Sequence, residues 1–311
     1  MTFHQPFSFM PLYQERVWGG RALEETLGRV LPSHGPFGES WEMVDRPEAQ
    51  SVVADGACKS VSLSELWLRH REPVFGRRAP GGGRFPLLAK ILDARETLSV
   101  QVHPPETVAS RLRGEPKTEM WYVMAAQPHA CIYAGFRPGV VRRQFEEALD
   151  SGRVEALLHR IPVKQGDAIF IPSGRCHAIG GGCLIAEIQQ NSDTTYRVFD
   201  WNRVGVDGRP RQLHVRESLE SIDFTDYEPG LISPAGARLV ENQWFAVDCF
   251  EIPAGRGIVL EDAGFVMVLE GQVRCGELVF ARGSSFWVPA ESARDLEGVG
   301  GASRVLFTTF G

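Results

Sequence analysis

The sequence predicts a mainly β protein: two jelly-roll barrels, with a short helical segment between strands of the first. Three observations carry this reading. Short apolar runs are broken throughout by Gly (33) and Pro (20), the punctuation of strands joined by turns. Residues 166–177 (GDAIFIPSGRCH) run as apolar strand, Pro-x-Gly turn, then histidine, which aims one imidazole into a barrel. The spacing from Gly166 to Pro172 recurs from Gly283 to Pro289, and Glu291 and Arg294 replace Gly174 and His177, so the chain reads as an internal repeat whose second copy lacks the histidine.

In chain order, residues 1–60 read as strands and loops, including Trp18-Gly-Gly and Gly38-Glu-Ser-Trp-Glu42. Leu63, Leu66 and Trp67 have helical spacing, with Ser62 as N-cap and Glu65 three residues on. Gly81–Gly83 is a mobile linker or turn, Phe85–Leu92 a buried strand, and Leu98–His103 an alternating strand that opens at Pro104-Pro105 into a short helix over 105–113. Glu119–Met124 is a further strand. Apolar spacing over Pro138–Arg160 predicts a helical pair divided at Ser151-Gly152, after which residues 163–200 return to strands. A catalytic domain is expected over residues 1–234 and a degenerate barrel without metal over 235–311, built around the short strands of Gly264–Pro289.

With 43% hydrophobic and 23% charged residues this is an ordinary globular composition, and 311 residues suffice for about two domains. A net charge of −6 argues against nucleic acid or an anionic membrane as partner, so an anionic ligand needs a local basic pocket. There is no membrane-length apolar run and no signal pattern at the amino terminus, and six cysteines without a C-x-x-C pair read as reduced thiols of a cytoplasmic protein. Cys176 reads as a small buried residue. The sequence leaves oligomeric state undetermined between monomer and weak dimer.

Residues two apart on a strand share a face, so Gln101 and His103 project into the barrel if Val100 and Val102 face away. Glu119 on the next strand and His177 after the helical region reach the same interior. One amide, one carboxylate and two imidazoles form a mixed N/O set suited to a single Zn²⁺ with room for water or substrate. His129 follows Pro128 in a turn, His159 sits on a helix face, His214 begins a segment near Arg211, and His4, His34 and His70 have no ligand partner at a useful spacing, so these six read as non-ligands; Glu106, in a Pro-Pro-Glu setting, points outward.

The motifs Trp18-Gly-Gly, Gly38–Glu42, Leu98–Pro104 (LSVQVHP), Lys117–Tyr122 (KTEMWY) and the block 166–203 occur in the order found in class I mannose-6-phosphate isomerases, and the chain resembles the short bacterial form of these zinc enzymes of the cupin superfamily. The resemblance implies zinc on Gln101, His103, Glu119 and His177, and catalytic roles for Arg197, Glu187 and Lys117. It implies interconversion of mannose 6-phosphate and fructose 6-phosphate through a cis-enediol. Glu187 is the first candidate for the proton shuttle and Lys117 the second. Arg16, Arg111, Arg113, Lys117 and Arg203 are the candidates for holding phosphate. Two departures stand out: Pro105-Glu106 after His-Pro, and Arg175-Cys176 where smaller residues are usual. An iron oxygenase is disfavoured by Gln101 in place of a third imidazole. A non-catalytic sugar-binding cupin, and an isomerase of another sugar or sugar phosphate, stay open.

Overall fold

The computed structural model describes residues 2–204, 208–233 and 235–311. Eleven strands build the first half: β1 (Leu12–Gly20), β2 (Phe37–Met43), β3 (Leu87–Ala94), β4 (Val100–Val102), β5 (Glu119–Ala126), β6 (Cys131–Phe136), β7 (Leu158–Pro162), β8 (Ala168–Ile171), β9 (His177–Ile179), β10 (Cys183–Gln190) and β11 (Tyr196–Phe199). They form a six-stranded sheet, β1-β2-β3-β10-β5-β8, facing a five-stranded one, β11-β4-β9-β6-β7. The second half repeats the plan with β12 (Arg238–Glu241), β13 (Phe245–Ile252), β14 (Gly257–Val259), β15 (Gly264–Glu270), β16 (Gln272–Cys275), β17 (Leu278–Ala281), β18 (Ser285–Val288), β19 (Asp295–Gly298) and β20 (Ser303–Phe310). Its sheets are β12-β13-β20-β15-β18 and β14-β19-β16-β17, and the named strand pairs are antiparallel. The expected domain boundary after residue 234 falls on a residue outside those described.

Apolar layers explain why the strands alternate as they do. Trp121, Val123, Ile169, Ile171, Ile179 and Ile185 fill the first barrel. Val100 and Val102 do face away, packing with Phe136, Phe145 and Val198 beneath the helical segment. Leu87, Ala89, Ile91, Met120, Tyr122 and Ile188 lie on the outer face of the six-stranded sheet and pack against Phe265, Met267, Trp287 and Leu306 of the second barrel. An aromatic cluster closes this seam, with Phe75 and Trp287 centroids 5.0 Å apart and Trp67 and Phe85 5.3 Å apart. Burying a ring of that size contributes about 4–6 kcal/mol by area, an upper bound.

Ser62 caps the helix Leu63–Arg69 as expected, its Oγ accepting the Glu65 N–H at 3.1 Å. The helical pair over 138–160 is corrected. Only Arg142–Asp150 is α-helix, followed by a 3₁₀ turn over Val154–Leu157 and then β7. The stop is Gly152 in the left-handed region (φ 68°): its N–H reaches the Leu149 carbonyl and that of Arg153 the Ala148 carbonyl, the paired bonds of a Schellman ending. Beyond it the Leu158–Pro162 backbone pairs with β6, so edge pairing overrides the helical spacing, and His159 stands on a strand rather than a helix.

The repeat shows in register. The N–H of Gly166 bonds the Val123 carbonyl and that of Gly283 the Val268 carbonyl, both glycines at positive φ. Glu119 faces Ile171 across β5 and β8, and Gly264 faces Val288 across β15 and β18. Glu187 opposes Trp121, whereas Phe307 opposes Val266. Gly264 thus stands where Glu119 would, and a Cβ there would strike the Phe307 ring, which fills the place of Glu187. The second interior is apolar, with Phe280 and Phe286 stacked at 3.7 Å. No helix among the described residues is long and apolar enough to cross a membrane.

Candidate metal centre and its cavity

The predicted ligands converge. Gln101 pairs with His177 across β4 and β9, and the Gln101 amide lies 3.3 Å from His177 Nε2. Glu119 Oε2 is 3.4 Å from His103 Nε2 and Glu119 Oε1 is 3.6 Å from His177 Nε2. His103, Glu119 and His177 are buried, and they form a metal-competent group of side chains among the described residues. Each imidazole has its other nitrogen 2.9 Å or less from a backbone carbonyl: His103 Nδ1 from Thr194 O (2.9 Å), His177 Nδ1 from Arg175 O (2.8 Å). Donation there leaves both Nε2 lone pairs turned to the centre, the tautomer a metal ligand needs. Burial pushes the His177 imidazole down to about 3 and lowers that of His103, so both are neutral.

Glu119 supplies the test of fit. Both its oxygens are sealed from water, and Oε1, 3.6 Å from His177 Nε2, accepts no hydrogen bond, whereas Oε2 lies against the Lys117 ammonium. Burial works to raise its carboxyl, yet the adjacent Lys117 ammonium holds it well below the usual range. A buried carboxylate with one oxygen unpaired, facing two imidazole lone pairs and an amide, fits a divalent cation held by mixed N/O donors.

Lys117 joins this cluster to Glu187. Its Nζ is 2.5 Å from Glu119 Oε2, 3.3 Å from His103 Nε2 and 3.6 Å from Glu187 Oε1. Burial opposes its charge, but Glu119 and Glu187 raise its pKa above the ordinary lysine range, so it is an ammonium here. Glu187 accepts the Trp121 indole N–H at 3.0 Å. Burial first, and the Glu119 charge second, push its carboxyl up to about 7 against the pull of Lys117.

A cavity of about 310 Å³ opens onto this region and falls at the small end of ligand-site volumes. Gln101, Lys117 and Glu187 line the cavity, while His103, Glu119 and His177 are buried outside its lining. Arg16, Lys90, Arg197 and Arg211 make the rest of the wall basic, tempered by Glu39 and Asp193, and His214, its pKa lowered by burial and then by Arg197, adds a neutral ring. Arg197 pairs opposite Gln101 on β11, its Nε donating to Ser99 Oγ at 3.3 Å and Nη1 to the Gln212 carbonyl at 2.9 Å. Burial and the nearby Arg211 lower its pKa, the signature of a cation crowded by cations. Asp200 is paired with Arg203 and Arg211 instead.

Of the residues expected to hold phosphate, Arg16 and Lys117 line the cavity. Arg111 pairs with Glu220 on the surface, Arg203 with Asp200, and Arg113 is not part of the wall. Glu106 is exposed, as expected, and Cys176 is fully buried with its thiol pushed up by burial. The sequence reading missed Lys90, Glu39, Ser99 and Arg211. Lys90 sits 4.5 Å over the Trp41 ring and between Glu39 (3.7 Å) and Asp193 (3.6 Å). A lone charge in the apolar run Leu87–Leu92 was its available signal, and period-two alternation through Glu39 and Trp41 was that of Glu39. Arg211 arrives from a loop and had none.

A family profile described as phosphomannose isomerase type I, catalytic domain, matches residues 7–130. The chain is 37% identical over 300 residues to mannose-6-phosphate isomerase ManA of Bacillus subtilis (strain 168), spanning 92% of this chain and 93% of that one. It is 38% identical over 279 residues to the mannose-6-phosphate isomerase of Streptococcus mutans serotype c, spanning 87% and 86%. The crystal structure of the mannose 6-phosphate isomerase from Bacillus subtilis aligns with a TM-score of 0.88 at 32% identity, over 99% of this chain and 100% of that one.

Proposed function

The chain belongs to the type I phosphomannose isomerase family, and on that premise we propose that it is a zinc-dependent aldose–ketose isomerase interconverting mannose 6-phosphate and fructose 6-phosphate. One observation carries the reading: a buried carboxylate, Glu187, lies at the base of a basic cavity, 3.6 Å from the lysine that touches a metal-competent cluster. A zinc ion on Gln101, His103, Glu119 and His177 would supply Lewis-acid polarisation of the sugar oxygens at C1 and C2.

The chain's own groups do the rest. Glu187 removes the proton from one carbon and returns it to the other, since burial raises its carboxyl above the ordinary range and so brings taking and giving a proton closer in energy. The Lys117 ammonium stabilises negative charge developing on oxygen in the enediol-forming step and keeps Glu187 oriented. Arg197, permanently cationic, faces the same charge or the phosphate beyond it. The phosphate end is held at the basic wall by Arg197, Arg211 and Ser99, with Arg16 at the rim. Trp18 and Leu98 line the cavity and limit water around the reacting carbons.

In this reading residues 1–234 are the catalytic unit and 235–311 a metal-free barrel that seals its back. The protein is cytoplasmic, its six cysteines free thiols, and its partner a small sugar phosphate. The deciding experiment is a coupled assay of mannose 6-phosphate conversion with zinc and again after chelation. Chelator-sensitive turnover is expected. Folded, zinc-loaded protein that binds mannose 6-phosphate without turning it over would instead establish the sugar-binding alternative.

A further inference from the structure

Arg175 stands two residues before His177 and takes no part in the constellation itself, yet its guanidinium is held on two sides. Nε and Nη2 donate to the two Asp226 oxygens at 2.7 and 2.8 Å, and Nη1 donates to the Phe170 carbonyl at 2.6 Å. Both side chains are largely withdrawn from water, 13% and 17% exposed. Its own carbonyl is the partner of His177 Nδ1.

The turn that Arg175 occupies is bonded to the segments that carry His103 and Glu119. Gly174 donates its N–H to the His103 carbonyl at 2.8 Å, and the Arg175 N–H closes the turn on Pro172 at 3.2 Å. Phe170, gripped by Nη1, pairs across β8 and β5 with Met120, the neighbour of Glu119. Asp226 is fixed in turn: its carbonyl accepts the Phe136 N–H at 2.9 Å, and Gly135 (φ 64°) leaves room where a Cβ would strike that carbonyl. A bidentate guanidinium sets an orientation as well as a distance, and the direction of the Arg175 carbonyl sets the rotation of the His177 ring.

We propose that the Arg175–Asp226 pair is a positioning device for the metal centre, setting its affinity for a divalent ion by fixing the carbonyl that orients His177. The inference rests on the zinc reading above. Its test uses the full chain stripped by a chelator, with Zn²⁺ affinity read by competition against a chromophoric chelator and ligand geometry read from the visible bands of bound Co²⁺. Arg175→Ala and Asp226→Asn should each weaken Zn²⁺ about tenfold, the lower end of the effect of outer-shell partners, and shift the Co²⁺ bands. Arg175→Lys, which cannot bond bidentately, should fail to restore them. A merely structural pair would lower the unfolding temperature while leaving Zn²⁺ affinity and Co²⁺ bands unchanged well below the transition, and that result overturns the proposal. If Arg175→Ala does not fold, Asp226→Asn carries the same measurement. Wild-type protein that binds no Zn²⁺ overturns the metal reading itself, and so is distinct from variants that bind like wild type.

Discussion

Glu187→Gln is the most informative single change. The amide keeps the carboxylate's shape and an oxygen for the Trp121 N–H at 3.0 Å, so the barrel interior stays packed. It removes one charge 3.6 Å from Lys117, a gross attraction of about 5 kcal/mol at an effective dielectric of 20, but it also removes the desolvation cost of a 3%-exposed carboxylate. These terms oppose each other, so the thermal transition should move little and zinc content should not change. Catalysis should change greatly. Losing a positioned general base costs about 10²–10⁴-fold, or about 3–5 kcal/mol of barrier, in kcat with KM nearly unmoved. The pH profile gives a second check. Glu187 must be ionised to accept a proton, so wild-type kcat should fall as pH drops through its folded pKa, raised from 4.5 towards about 7 by burial first and the Glu119 charge second. Zinc neutralising Glu119 weakens the second cause and leaves the first, which places the limb between those values; the Gln variant should lack it. A kcat within tenfold of wild type in zinc-loaded Glu187→Gln would refute the assignment of Glu187 as the base.

His177→Ala should lose bound zinc and turnover together, whereas Arg197→Ala should retain zinc by metal analysis and lose turnover; retained activity in either breaks the site assignment. Glu42 is buried and bonded to Ser40 (2.5 Å), Ser285 (2.5 Å) and Arg29 (2.9 Å), tying β2 to β18 of the second barrel, so Glu42→Ala should cost about 3–5 kcal/mol in urea unfolding by stranding Arg29. A loss below about 1 kcal/mol would show the link to be unimportant. Burial raises Asp93 from 3.8 to about 6, although its Oδ2 accepts the Ala22 N–H at 2.6 Å. A raised carboxyl favours the protonated folded state, so up to about 3 kcal/mol of stability is present below pH 4 and lost as pH rises through 6. Asp93→Asn should flatten that slope in denaturant titrations across this window, and an unchanged slope would contradict it.

What was legible in the sequence follows from what strands and turns dictate locally. Gln101 and His103 share a face because strand alternation is a fixed period, and His177 follows a Pro-x-Gly turn whose geometry is local. The repeat was legible for the same reason: Gly166 and Gly283 hold the same left-handed corner in both barrels. The region after Gly152 was not, because Val154, Leu157 and Leu158 satisfy helical spacing and its pairing with β6 is non-local. The basic wall was the least legible part. Lys90, Arg197 and Arg211 come from β3, β11 and a distant loop, and only tertiary placement shows that they share a cavity, that Arg111 turns to Glu220, and that Arg203 and Arg211 share Asp200.

The second barrel has no described ligand cluster, yet it constrains the first through register. β3, β5 and β10 are buried on both faces: one face carries Lys90, Glu119, Trp121 and Glu187, the other Ile91, Met120, Tyr122 and Ile188 against Phe265, Met267 and Leu306. A one-residue slip of any of these strands would turn charge into a dry seam and apolar side chains into the polar cavity, and both exchanges cost several kcal/mol. An isolated sheet with a solvated outer face would penalise only half of that error. By covering the outer face, the second barrel makes the correct register of Glu119 and Glu187 the state in which every buried charge has a counter-charge or a metal-competent partner within reach. Gly264 and Phe307 replacing those two carboxylates in the second copy follow the same logic: with no cation to face, that interior reaches low energy by filling with Phe280, Phe286 and Phe307.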